Sequence, residues 1–101
     1  MKFVIDIKNE NIINISRRIG YRPIRINVQG EYSIVRTLTG NNYPRFHIYI
    51  KEKGAGDFIF NLHLDQKKPS YGSAHAHSGE YEGDLIDKEV ERIKKLVEQI
   101  I

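Results

Sequence analysis

The chain predicts an α+β, two-layer domain: a mostly antiparallel sheet of four or five strands packed on a C-terminal amphipathic helix, with a short helix near the amino terminus. Three observations carry that expectation. Residues 84–101 hold an apolar stripe at helical spacing. Residues 44–65 alternate apolar and polar with a period of two on either side of Gly54-Ala55-Gly56. Residues 22–38 repeat that alternation around Gly30. A length of 101 residues suits one domain, 1–101, with a single core.

Phe3, Ile5 and Ile7 alternate with Val4, Asp6 and Lys8, which predicts a first strand over 2–8. Ile12, Ile15 and Ile19 recur at helical spacing, Arg17 and Arg18 fall in the last turn and Gly20 can take the C′ position, so 10–19 reads as a short helix. Arg22-Pro23 opens an extended segment in which Ile24, Ile26 and Val28 alternate with Arg25, Asn27 and Gln29. Gly30 turns the chain, and residues 31–38 return with Tyr32 and Ile34 expected across from Val28 and Ile26. The last helix should begin at Asp84 as its cap, with Asp87 in the first turn. Ile86, Val90, Ile93, Val97 and Ile100 form its buried stripe, and Glu91 with Lys95 an i,i+4 pair on the solvent side.

The central hairpin can be read pair by pair. Successive side chains of a strand point to opposite faces. Phe46, Ile48 and Ile50 therefore share one face, and Arg45, His47, Tyr49 and Lys51 the other. On the return, Phe58, Phe60, Leu62 and Leu64 oppose Ile59, Asn61, His63 and Asp65. Burial of the apolar face fixes the parity, because a one-residue slip would mix the two sets. A three-residue loop, Gly54-Ala55-Gly56, then sets Phe46 across from Leu64, Ile48 from Leu62 and Ile50 from Phe60. On the other face it sets Arg45 across from Asp65, His47 from His63 and Tyr49 from Asn61. Directly opposed side chains lie about 5 Å apart at Cβ, close enough to act together.

Composition narrows the function classes. The chain has no cysteine, which removes disulfides and thiolate metal sites. No apolar run approaches the roughly 18 residues of a membrane span, and the apolar stretch in MKFVIDIKNEN is too short for a signal peptide. A cytoplasmic protein is the expectation. Net charge is +3, unevenly spread: residues 1–78 carry twelve Lys+Arg and six Asp+Glu, residues 79–101 four and seven. A basic body of this kind favours an anionic partner.

All four histidines fall between residues 47 and 77. His63 and Asp65, two apart on a strand, point to the open face beside His47. The polar loop after Asp65, long for a compact domain and without apolar periodicity, brings His75, His77 and Glu80 toward the same end of the hairpin. Imidazoles with a carboxylate are the donor set that Zn²⁺ or Ni²⁺ accepts, and the expected metal ligands are His63, Asp65, His75 and His77. His63, Asp65 and His77 are then the candidates for hydrolytic chemistry, with or without the ion. Arg45, His47, Tyr49, Asn61, Tyr71 and Glu80 are candidates for holding the ligand, and Arg45 with Lys67 and Lys68 suits a phosphate ester.

Two readings from other classes compete with a hydrolytic site. Arginines 17, 18, 22, 25, 36 and 45 with Tyr21, Tyr43, Tyr49 and Tyr71 give cations and stacking surfaces for a single-stranded nucleic acid. Alternatively Tyr49, Ile59 and Val35 on the open face form a homodimer contact. No nucleophile elbow, Gly-rich phosphate loop or H-E-x-x-H helix is present to decide whether the chain is an enzyme.

Overall fold

Each element of the sheet is held by a device that the local sequence supplies. A computed structural model describes residues 1–26, 29–66, 79–80 and 82–101. In chain order it contains β1 (Lys2–Asp6), α1 (Ile12–Arg18), β2 (Arg22–Ile26), β3 (Glu31–Thr37), β4 (Arg45–Gly54), β5 (Asp57–Asp65), β6 (Gly79–Glu80) and α2 (Asp84–Ile100). Five strands lie in the order β1-β5-β4-β3-β2, every neighbouring pair antiparallel, and the two-residue β6 pairs with the far end of β5. Strands β2 to β5 thus form a meander, and β1 closes against its last member.

The first strand stops at Asp6, two residues short of the expected end. Lys8 takes a positive φ of 57° while the Asp6 carboxylate accepts a hydrogen bond from the Lys8 N–H at 2.9 Å, so an aspartate turn breaks the ladder there. Helix α1 begins where Asn11 can cap it, its side-chain oxygen accepting from the N–H groups of Ile13 and Asn14 at 2.9 and 3.2 Å. It ends at Arg18 with Ile19 as its C-cap, shorter at both ends than the expected 10–19, and Gly20 takes the expected C′ position with a φ of +95° that favours glycine. In α2 the expected cap differs. Gly83 is the N-cap, with no side-chain bond, and Asp84 is the first helical residue, where its charge and that of Asp87 suit the positive helix end.

Registers differ in how far they follow the sequence. The six central β4–β5 pairs are those expected, from Arg45–Asp65 to Ile50–Phe60. The turn itself is tighter: β4 runs to Gly54, which pairs with Asp57, and an irregularity between Glu52 and Gly54 absorbs Lys53. A two-residue loop, Ala55-Gly56, remains. Between β2 and β3 the expected register fails. Ile26 faces Tyr32 rather than Ile34, a two-residue difference already present at the turn end of the pair. A bulge between Pro23 and Arg25, which leaves Ile24 as an extra residue, shifts the count by one more so that Pro23 faces Ile34. Proline has no N–H to complete a ladder, which is why the irregularity falls beside it. Val28 lies outside the described residues.

Both helices pack on one face of the sheet. Phe46, Ile48, Ile50, Phe60, Leu62 and Leu64 meet Ile15 and Ile19 of the first helical segment and Ile86, Ile93 and Val97 of α2 in one buried cluster. The other face carries the alternate residues. On it Tyr49 is half exposed while Val35, expected there as part of a dimer contact, is only 1% exposed.

The helix layer contains one buried acid. Glu89 is 3% exposed, and its carboxylate accepts hydrogen bonds from Arg36, Arg92 and the Tyr21 hydroxyl. Burial works to raise its pKa, but the donated hydrogen bonds of Arg92, Arg36 and Tyr21 outweigh burial and hold it below the ordinary 4.5. The unfolded chain therefore takes up this proton first as pH drops. The stabilisation is complete above 4.5 and is lost as pH falls through the lowered value of the folded state. Glu89→Gln is expected to cost about 2–3 kcal/mol at pH 7 and to flatten the acid limb of stability. Urea unfolding at neutral and acid pH checks both, and a variant as stable as the parent at pH 7 would remove this network as a support of the fold.

Candidate functional site

The open face of β3, β4 and β5 gathers a polar cluster whose members are placed by register alone. The β4–β5 pairing sets His47 across from His63 and Arg45 across from Asp65. The β3–β4 pairing sets Val35 across from His47 and Ser33 across from Tyr49, which makes Ser33 and Asp65 the diagonal neighbours of His47 on either side. Long side chains reach across such diagonals.

Asp65 is the hub. Its Oδ2 lies 3.0 Å from His47 Nδ1 and 3.1 Å from Arg45 Nε, and its Oδ1 lies 2.8 Å from His63 Nε2. Behind His47, the Ser33 hydroxyl makes a short hydrogen bond to Nε2. The two imidazole rings lie 4.7 Å apart between centroids and tilted, and Tyr49 lies 4.4 Å from His47, tilted, and 5.3 Å from His63, stacked. Arg45 is steadied from its far side by the Tyr43 ring, 4.6 Å below the guanidinium. His47, His63, Asp65 and Ser33 are buried, although among the described residues no helix packs on this face.

Burial sets the protonation of this group. It pulls both imidazoles below the ordinary 6.5, and the attraction of Asp65 offsets only part of that. For Asp65, burial acts upward, but hydrogen bonds from Arg45 and His47 hold the carboxyl below the usual 3.8. At neutral pH the cluster is therefore two neutral imidazoles, one carboxylate and one guanidinium. Neutral imidazole and carboxylate are the forms that bind metals. One nitrogen of each imidazole and one Asp65 oxygen lie within 4.8 Å of one another, close enough to hold a metal ion.

The cluster differs in membership from the sequence expectation. His47, expected to hold ligand, stands in the metal-capable group with His63 and Asp65. Arg45 is engaged with Asp65, Tyr49 caps the rings, and Asn61 sits across from Tyr49 at the margin. Glu80 stands on β6 across from Leu64, next to the Gly79–Asp65 pair. Tyr71, His75, His77, Lys67 and Lys68 lie outside the described residues. Ser33 was not anticipated, though its position two before Val35 on β3 carried the signal of its face.

Beside the cluster, a hollow of about 490 Å³ is bordered by Ser33, His47, Tyr49, Ile24 and Arg25. His47, with Ser33 and Tyr49, thus meets a space large enough for a small ligand, whereas His63 and Asp65 do not border it. Among the described residues, no helix is long and apolar enough to cross a membrane. Comparison with protein-family models, curated proteins and solved structures finds no match for this chain.

In the metal-free protein, both His47 and His63 are expected to stay mostly neutral at pH 6.5 and to take up protons only below it. In Asp65→Asn, loss of the attracting charge lowers both values further. Histidine ring NMR across pH 4 to 8 reads this directly, and titration at the free-imidazole value would mean the pair is open to solvent.

Proposed function

We propose that this domain binds a divalent transition metal, zinc or nickel, through His47, His63 and Asp65, and uses it for hydrolysis. The observation that carries the reading is the convergence of two neutral imidazoles on the two oxygens of one carboxylate, in a buried and cysteine-free group. Ser33 adds to it. A metal-binding histidine commonly anchors its second ring nitrogen on a polar partner, and the Ser33 hydroxyl on Nε2 leaves Nδ1 of His47 directed at the group. His75 and His77 are candidates for further ligand positions from the sequence. With three protein ligands, an ion keeps a position for water and lowers the pKa of that water toward about 7.

The chain's own residues have separate tasks in this reading. Asp65 and the imidazoles hold the ion, Ser33 fixes the tautomer of His47, and Tyr43 with Arg45 keeps the carboxylate in place. The Arg45 guanidinium, bound to Asp65 Oδ2, would oppose a dication by its charge and limit affinity.

Calorimetric titration of the metal-free protein with Zn²⁺ or Ni²⁺ tests the proposal. One equivalent is expected to bind, and His63→Gln or Asp65→Asn should abolish uptake while circular dichroism stays native. Ser33→Ala should weaken it by about 10- to 100-fold. Absence of uptake by the parent protein sinks the reading.

A metal-free alternative is favoured by one observation. Ser33 Oγ, His47 Nε2 and Nδ1, and Asp65 Oδ2 are linked in the order of a hydroxyl–imidazole–carboxylate relay. Against it, Ser33 is mid-strand between two ladders rather than raised on a turn, and it is 6% exposed. The two readings part at Ser33→Ala: hydrolysis of a model ester that persists with added metal supports the metal, and complete loss supports the relay.

A further inference from the structure

We infer that a second hollow, bordered by β2, the end of β3, the end of α1 and the middle of α2, binds a small phosphate-bearing anion through Arg17, Arg22, Arg36 and Arg92. The inference does not depend on the metal reading. The hollow has a volume of about 600 Å³ and is bordered by the four arginines together with Gly20 and Thr37. No acidic side chain lines it among the described residues. The four cations come from four separate places in the chain: the last turn of α1, the first residue of β2, the end of β3 and the middle of α2. Only the tertiary fold brings them together.

Two of the four are accounted for by the fold itself. Arg36 donates to Glu89 through Nε and Nη2 at 3.2 and 3.1 Å. Arg92 donates to the same carboxylate through Nε and Nη2 at 2.7 and 2.8 Å, and Nη2 also reaches the Ile19 carbonyl at 2.7 Å. Glu89 thereby fixes both guanidinium planes and leaves their remaining Nη1 donors beyond the carboxylate. The stem of Arg36 is held close as well, since a Cβ on Gly20 would lie 3.2 Å from its Cδ. These are preorganised donors.

Arg17 and Arg22 are not accounted for. Both are exposed, and among the described residues neither takes part in an ion pair. Four guanidinium groups against the one carboxylate of Glu89 leave an excess of three positive charges around one hollow. Like charges gathered this way repel, and an anion between them reverses the sign of that energy. Guanidinium forks match phosphate oxygens two at a time, and the Thr37 hydroxyl adds a neutral donor at the rim.

The shape selects a small ligand over a strand of nucleic acid. Single strands are held by cations along a groove interleaved with exposed aromatic faces. Here the neighbouring aromatic, Tyr21, is 3% exposed and its hydroxyl is committed to Glu89, so it offers no face for a base. The volume suits a phosphate with a compact body.

The test is a ¹H–¹⁵N NMR titration of the whole chain with inorganic phosphate and with pyrophosphate, at constant ionic strength against a chloride control. Saturable shifts are expected at the amides of Gly20, Arg22 and Thr37, with those of His47, His63 and Asn61 unmoved. Arg17→Ala and Arg22→Ala, both at exposed positions outside the Glu89 network, should keep the native spectrum and each weaken pyrophosphate by about tenfold. Shifts no larger than those with chloride overturn the inference, as do shifts unchanged in the double variant. Tight binding of a single-stranded oligonucleotide that pyrophosphate does not displace would overturn it in favour of a nucleic-acid surface.

Discussion

Parity between β4 and β5 is the constraint on which the rest of the structure depends. Phe46, Ile48 and Ile50 on one strand and Phe60, Leu62 and Leu64 on the other must enter the core together, and only registers that keep them on one face allow it. Once that face is buried and the turn at Ala55-Gly56 picks one register of that parity, the alternate residues have no freedom to choose their neighbours. His47 meets His63 and Arg45 meets Asp65 because Ile48 meets Leu62. The polar cluster is thus a by-product of core packing in position, though not in chemistry. The same strands would accept many polar residues on this face, and the chain holds two imidazoles and a carboxylate there.

Both charge clusters of the domain follow one physical rule on opposite faces of the sheet. A carboxylate taken out of water costs stability unless donors replace its hydration. Asp65 receives a guanidinium and two imidazoles, and Glu89 two guanidinium groups and a phenol. The difference lies in the donors. Arginine stays charged at all ordinary pH, so the Glu89 network is a fixed structural tie. Imidazole changes its charge near neutral pH, so the ties of the Asp65 cluster respond to pH in a way that those of Glu89 do not.

How much could be read beforehand depended on whether a residue left a periodic trace. The hairpin pairs were legible because two strands of strict alternation flank a glycine turn, and the extra residue at Lys53 was absorbed at the loop without moving the pairs beyond it. The β2–β3 register was not legible, since alternation fixes which residues share a face but not which of them pair. Ile26 meets Tyr32, two residues from the expected Ile34, and the bulge beside Pro23 then breaks the alternation as well. Asp84 resembles a cap, yet the turn into α2 is made by Gly83 at a φ of +113°, and the cap falls one residue earlier. Glu89 is absent from the stripe read off the sequence because that stripe was counted from apolar residues alone. It stands three after Ile86 and four before Ile93, on the buried stripe itself, and that spacing was its trace. Ser33 left none beyond its parity with Val35, because a small polar residue in a strand breaks no pattern.

The bulge at the start of the meander also bears on how the molecule meets copies of itself. A sheet whose outer strand is straight and fully hydrogen-bonding can template a neighbour's strand and grow without limit. Strand β2 is the outer strand on its side, and it is five residues long, kinked at Ile24, deprived of one donor by Pro23 and flanked by Arg22 and Arg25. Proline, positive charge and irregular pitch on an outermost strand are the features that stop a sheet from recruiting another. The kink at Ile24 is thus also a safeguard: it blunts the margin of a small sheet that leaves Ile24 and Ile26 facing water.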